Sequence, residues 1–325
     1  MITLWLALLA IITLLYVLFD GFDLGVGVLF GLTRDARQRD DMLRAIAPVW
    51  DGNETWLVAA GVVLWGAFPS AYAALLSAFY LPITAMLAGL ILRGVAFEFQ
   101  HNAIRTRPLW DASFFLGSTV AAFMQGVMVG GLVVGLPTVG GFYSGHGLEW
   151  MSPFALFCGF GLAAGYSLLG ACWLVLKCVD ATRAAALRWV PWLSAALLAL
   201  LVIVSCYALF VHQDVARRWF DTPVFFLLRA TGAMAAVLLA IGVRRGNDAV
   251  PLAAAMALFV VSFLALGVSF WPYVVPFSIK TQDAAAPMES LRFMFWGAGL
   301  FIFPLMLGYT FFSYRVFQGK TLPSD

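Results

Sequence analysis

The chain has 325 residues, 63% of them hydrophobic and 11% charged, with a formal net charge of +2. Soluble domains carry about 25% charged residues, so this composition excludes an ordinary soluble enzyme. The nearly balanced charge gives no footing for nucleic acid as a partner.

Apolar stretches of about 18 or more residues recur along the whole length, each long enough to cross a bilayer as a helix. The fold class is an all-α polytopic membrane protein. The first stretch, "MITLWLALLAIITLLYVLF", has neither a basic leader nor a small-residue cleavage site, and reads as a retained first span over 4–30. It closes with "LFDGFDLGVGVLFGL", which puts Asp20 and Asp23 inside the hydrophobic run. Three residues apart on a helix, they share a face with Cβ atoms about 5–6 Å apart. Each would cost about 2.5–3.5 kcal/mol at the centre of a bilayer, so both should face the protein interior or a hydrated cavity. Gly21, Gly25 and Gly27 on the same span give a neighbouring helix room to approach closely.

The second span, 54–71, is entered through "WDGNETWLVAAG", with Asp51, Asn53 and Glu54 near its start. The free N–H groups and positive dipole end of a helix stabilise acids there. Simple capping by Asp51 and a dipole-matched surface role for Glu54 are the plainer readings of those two positions. Asp20 and Asp23 are different, because an acid inside a membrane span is a functional candidate by default. The third span, 74–96, ends "LILRGVAFEFQ", bringing Arg93 and Glu98 to the boundary.

The fourth span covers 112–136 and is followed by the break "GLPTVGGFYSGHGLEWMSP". Spans five to eight occupy 153–178, 190–211, 222–243 and 250–273, and the ninth occupies 289–315. The segment "SFWPYVVPFSIKTQDAAAPMES" precedes the ninth, and Pro272 and Pro276 must interrupt regular helix there. Nine spans suggest two four-helix bundles and one peripheral helix. The first bundle takes 1–136 and the second 137–273. Residues 274–325 supply an outer loop, the ninth helix and the C-terminus.

Fourteen of the nineteen Lys and Arg fall on the side shared by the connections after spans one, three, five and seven and by the C-terminus. The positive-inside rule makes that side cytoplasmic, with the N-terminus outside and the C-terminus inside. Alternating span directions then return the end of span one, the start of span two and the end of span three to the cytoplasmic surface. Asp20, Asp23, Asp51, Glu54 and Glu98 gather there with one nearby intramembrane base, Arg93. Five acids cannot all be paired by one arginine, and such a surplus suits groups that take up and release protons. The reading from the residues themselves is a proton or cation pathway opening to the cytoplasm.

The rest of the inventory is plain. Cys158, Cys172, Cys178 and Cys206 lie in apolar runs without a C-x-x-C pair, and read as small buried hydrophobes. His101, His146 and His212 fall in connections or at span edges, where they offer no in-span pair to hold a haem. No metal-ligand or phosphate-cradling motif occurs, so no cofactor or metal is expected in this chain and no residue is assigned a catalytic role.

Four ordered segments, "DGFDLGVG", "APVWDGNETWL", "RGVAFEF" and "FWPYVVP", resemble subunit II of the cytochrome bd-type ubiquinol oxidases, including the cyanide-insensitive branch. The resemblance spans essentially the whole chain. It implies a heterodimer in a bacterial inner membrane with a larger subunit I carrying haems b and d, or b only, and leaves room for a small single-helix accessory subunit. Quinol would be oxidised at the outer side and dioxygen reduced to water with cytoplasmic protons. A structural quinone or a membrane lipid would have a place in subunit II. Carried onto this sequence, the proton-transfer acids are Asp23, Asp51 and Glu98, supported by Asp20, Trp50, Asn53, Glu54 and Arg93. Gln100 stands where the family pattern has a basic residue, and "FSIKTQDAAAP" lacks an aromatic before its "DAA". Two other functions fit the same residues: a stand-alone proton-coupled transporter, and a purely structural assembly subunit.

Overall fold

The computed structural model describes residues 1–100 and 103–321. It is 83% helical. Among the described residues, eight helices are long and apolar enough to cross a membrane. They are α1 (Ile2–Leu32), α5 (Tyr80–Gln100), α6 (Arg107–Val134), α7 (Pro153–Lys177), α8 (Asp180–Val211), α10 (Pro223–Arg244), α11 (Val250–Phe270) and a last rod, Met288–Val316. That rod is α13 (Met288–Met294) and α14 (Leu300–Val316), joined by a π-turn over Phe295–Gly299.

The span expected over 54–71 is α3 (Trp50–Ala67), whose 18 residues rise about 27 Å. It is less apolar than the other eight because Asp51, Asn53 and Glu54 fill its opening turns. The boundary expected at 72–73 is corrected. Helix α3 stops at Phe68, because Pro69 holds the residue before it out of helical geometry, at φ −134° and ψ 61°. A short α4 (Pro69–Ala78) then crosses beneath the loops before α5 begins at Tyr80. The run "AYAALLSAFY" is as apolar as a span interior, so hydropathy alone merged α4 with its neighbours.

Two further helices lie in stretches read as connections. Amphipathic α2 (Ala36–Ile46) begins at Asp35, whose side chain accepts from the backbone N–H groups of Arg37 and Gln38. It buries Met42, Leu43, Ala45 and Ile46. Helix α9 (Gln213–Asp221) links α8 to α10. Strands β1 (Thr138–Val139) and β2 (Phe142–Tyr143) form one antiparallel hairpin. Strands β3 (Tyr273–Val275) and β4 (Ile279–Lys280) form a second, followed by the single turn α12 (Thr281–Ala284). Both hairpins touch α4, at the end of the bundle away from α2 and the C-terminal tail.

Helix α1 is the central strut, packed against α3, α6 and α7. Its glycines set that approach: a Cβ on Gly25 would lie 1.7 Å from the Tyr166 carbonyl oxygen, so α1 and α7 cross backbone to backbone. Phe22 stacks on Trp173 at the same crossing, with ring centroids 4.2 Å apart. One buried apolar cluster runs from α1 and α2 through α5, α6 and α7 to α8, α10 and α11. A second gathers Trp5, Ile12, Trp56, Phe68 and Phe79 toward the hairpin end.

Candidate functional site

Three helix segments bring the polar site together at the arginine-rich end of the bundle. From α1 come Asp20 and Asp23, both wholly buried. From the first turns of α3 come Asn53, buried, and Glu54, half-buried; from α5 comes Arg93, which is 2% exposed. Arg93 Nη2 lies 2.8 Å from Asp20 Oδ1 and 3.4 Å from Glu54 Oε2. One guanidinium therefore bridges α1, α3 and α5. Asn53 Nδ2 donates to Asp23 Oδ2 at 2.7 Å, which ties the second acid of α1 to α3 as well.

The charge balance is uneven. Three carboxyls share one arginine in an interior where an unmatched charge is expensive. Several polar atoms are also buried without a protein partner: Asp20 Oδ2, Asp23 Oδ1, and Arg93 Nε and Nη1. Such groups are satisfied by internal water where the site is polar and roomy enough.

Asp51 and Glu98 are not part of this buried cluster. Both are exposed, Asp51 in the first turn of α3 and Glu98 on an outward face of α5. Among the described residues no ion pair involving either of them is present. Trp50 packs on α5, its ring 4.9 Å from that of Phe97 and in contact range of Gly94. Gln100 is buried and donates to Asp111, which also takes Arg39 at 3.0 Å, so the amide pins α5 to α6.

Two further features belong to the polar interior. Tyr314, near the end of α14, donates its hydroxyl to Asn53 Oδ1 at 2.9 Å. One turn before Asp20, Tyr16 accepts from Gln125 Nε2 at 2.8 Å, and Tyr166 donates to Gln125 Oε1 at 2.8 Å. The polar interior thus extends from α1 to α6 and α7. Gln125, an amide in "FMQGVMVGG", was the available signal; an aromatic near a span end, such as Tyr314, has a common interfacial reading.

The histidines stand elsewhere. His212 Nε2 lies 2.8 Å from the Val133 carbonyl oxygen, and its ring stacks on Phe277 at 4.0 Å. His146 sits in the loop after β2, and His101 lies outside the described residues. Among the described residues no three His, Cys, Asp or Glu side chains gather as a metal site.

A sequence model described as cytochrome bd terminal oxidase subunit II matches residues 1–317. The chain belongs to this family. Subunit 2 of the cytochrome bd-I ubiquinol oxidase of Escherichia coli K12 is 28% identical over 371 residues, covering 99% of this chain and 95% of the relative. A probable cytochrome oxidase subunit 2 of Haemophilus influenzae is 27% identical, with 97% and 94% covered. The solved bd oxidase of Geobacillus thermodenitrificans contains a chain that superposes with a TM-score of 0.79 at 15% identity, covering 97% and 98%. That likeness concerns the fold. As a bd oxidase subunit II, the chain is a multi-pass membrane component of a terminal oxidase complex with a subunit I as its partner.

Proposed function

We propose that this chain is the haem-free subunit of a bd-type quinol oxidase in a bacterial inner membrane. In this reading it braces the haem-bearing subunit I and helps deliver cytoplasmic protons toward the oxygen-reducing haem there. The observation that carries the proposal is the buried pair Asp20, matched by Arg93, and Asp23, matched by Asn53, at the arginine-rich end. The positive-inside rule makes that end cytoplasmic, with the N-terminus outside. Exposed Asp51 and Glu98 collect protons at the surface. Asp23, with Asp20 and Glu54 beside it, receives them in the interior, through water held on the partnerless oxygens. Arg93 keeps the carboxyl surplus from becoming prohibitive, while Trp50 and Asn53 fix the opening turn of α3.

Haem belongs to the partner in this reading, because His212 is engaged by a carbonyl and a ring and His146 sits in a loop, so neither is placed as an in-span ligand. Ubiquinol as the electron donor follows from the name of the Escherichia coli relative. A structural quinone or lipid and a small accessory subunit belong to the same proposal, as does the division into 1–136, 137–273 and 274–325. A stand-alone transporter would place acids at the midplane of both halves; among the described residues, both fully buried acids lie on α1.

The test uses the intact complex. Asp51→Asn and Glu98→Gln should each lower quinol-dependent oxygen consumption about 100-fold or more, the range that positioned proton-transfer groups contribute. The haem spectrum and subunit I content should be unchanged. Full turnover in both variants would leave the chain a structural subunit.

A further inference from the structure

Asn53 has a hydrogen-bond partner on each side of its amide. Its amide presents Nδ2 to Asp23 Oδ2 at 2.7 Å, the rotation an ionised carboxylate requires, since the opposite one would set two acceptor oxygens together. On its other side the Tyr314 hydroxyl donates to Asn53 Oδ1 at 2.9 Å, which adds to the hold on that rotation. An amide passes a proton only through an unfavourable tautomer, so this limb orients Asp23 and does not conduct.

Tyr314 is itself held from both sides. Its ring sits 5.2 Å from that of Phe19 on α1 and 6.0 Å from that of Trp173 on α7. Just beyond it the chain leaves α14 and runs back over the end of α7 as a strap. Lys177 Nζ donates to the carbonyl oxygens of Phe317, at 2.5 Å, and Gly319, at 3.2 Å. The Thr321 N–H donates to the Lys177 carbonyl oxygen at 2.8 Å. Lys320 Nζ reaches the Cys178 carbonyl oxygen at 3.2 Å and Asp248 at 2.7 Å. Beneath the strap lies a cavity of about 230 Å³, lined by Pro48, Val49, Trp173, Lys177 and Tyr314 among others. That is room for several waters, at about 30 Å³ each in the liquid. Tyr314 therefore stands between this cavity and the hydrogen bond that fixes Asp23.

We propose that Tyr314 is a positioning residue for Asp23, acting through Asn53 and held in place by the C-terminal strap over the cavity beside it. The proposal rests on the proton-delivery reading for its effect on turnover, but its geometric core is independent of that reading. Losing one neutral hydrogen bond predicts a partial loss, because the acid remains.

The experiment purifies the whole oxidase carrying Tyr314→Phe, which removes only the hydroxyl. Turnover should fall roughly 2- to 10-fold with the KM for quinol and the haem spectrum unchanged. The pH profile of turnover should shift. In infrared difference spectra, the carboxyl signal that Asp23→Asn abolishes should be displaced. In an Asn53→Ala background the same substitution should add nothing, since both act through one contact. An undisplaced infrared signal with an unchanged pH profile would overturn the proposal, and turnover still lost in Asp23→Asn would then leave proton delivery intact. Full turnover in Asp23→Asn would instead sink proton delivery, and the infrared displacement would decide Tyr314 on its own. If Tyr314→Phe yields no intact complex, Lys177→Met with Lys320→Met removes the side-chain anchors of the strap while keeping the ring; a displaced signal supports the proposal and an unmoved one overturns it.

Discussion

Arg93 is the residue on which the buried site balances. With one guanidinium within reach of Asp20 and Glu54, replacing it by leucine would leave a buried acid facing an apolar wall. Removing one partner of a buried pair costs about 3–5 kcal/mol. Arg93→Leu should therefore lower the yield and thermal midpoint of the complex, whereas Asp20→Asn with Arg93→Gln should recover much of the loss. Equal midpoints for Arg93→Leu and the parent would contradict this account. Asp20, Asp23 and Arg93 were legible in the sequence because charges inside apolar runs stand out against their surroundings. Whether Asp51 and Glu98 point inward was not legible: each lies within a turn or two of a buried polar residue, and only the helix rotation turns them outward. Tyr314 could not be read at all, since its partner Asn53 is 261 residues away.

Among the elements, the strap after α14 has a pH response that can be derived. Partial burial would push the Asp248 carboxyl up, but hydrogen bonds and charge from Lys320 and Arg183 outweigh it and hold it below the usual carboxylate range. A carboxyl lowered on folding stabilises the folded state above its unfolded value, about 3.9, and loses that contribution as pH falls through the folded one. The anchor should hold from pH 8 to about 5 and loosen below about pH 4. A spin label at Gln318→Cys, in a Cys206→Ala background, should stay immobile over the upper range and gain mobility in the acid range. Asp248→Asn should be more mobile throughout; mobility independent of both pH and Asp248 would contradict the anchor. The long elements themselves were readable, because spans of 20 or more apolar residues dominate hydropathy. The errors fell where local chemistry overrides that average, at Phe68–Pro69 between α3 and α4 and at amphipathic α2.

For the molecule as a whole, the arrangement concentrates polar function at one end of α1, the helix around which the others pack. The α1–α7 crossing at Gly25 and Gly170 places Tyr166 and Trp173 beside the acid-bearing stretch. The polar interior therefore touches both halves of the chain, although its acids come from the first. Family membership makes this chain one subunit of a terminal oxidase; under the proposed reading, the buried acids add a chemical task to the structural one.

The most direct test follows proton uptake during a single turnover of the intact oxidase, with a pH-sensitive dye in solution and the haem spectra recorded in parallel. Asp23→Asn should load electrons and bind oxygen at the parent rate, while proton uptake and the steps that depend on it slow by about 100-fold or more. Uptake at the parent rate in that variant would contradict the claim that protons pass through this subunit.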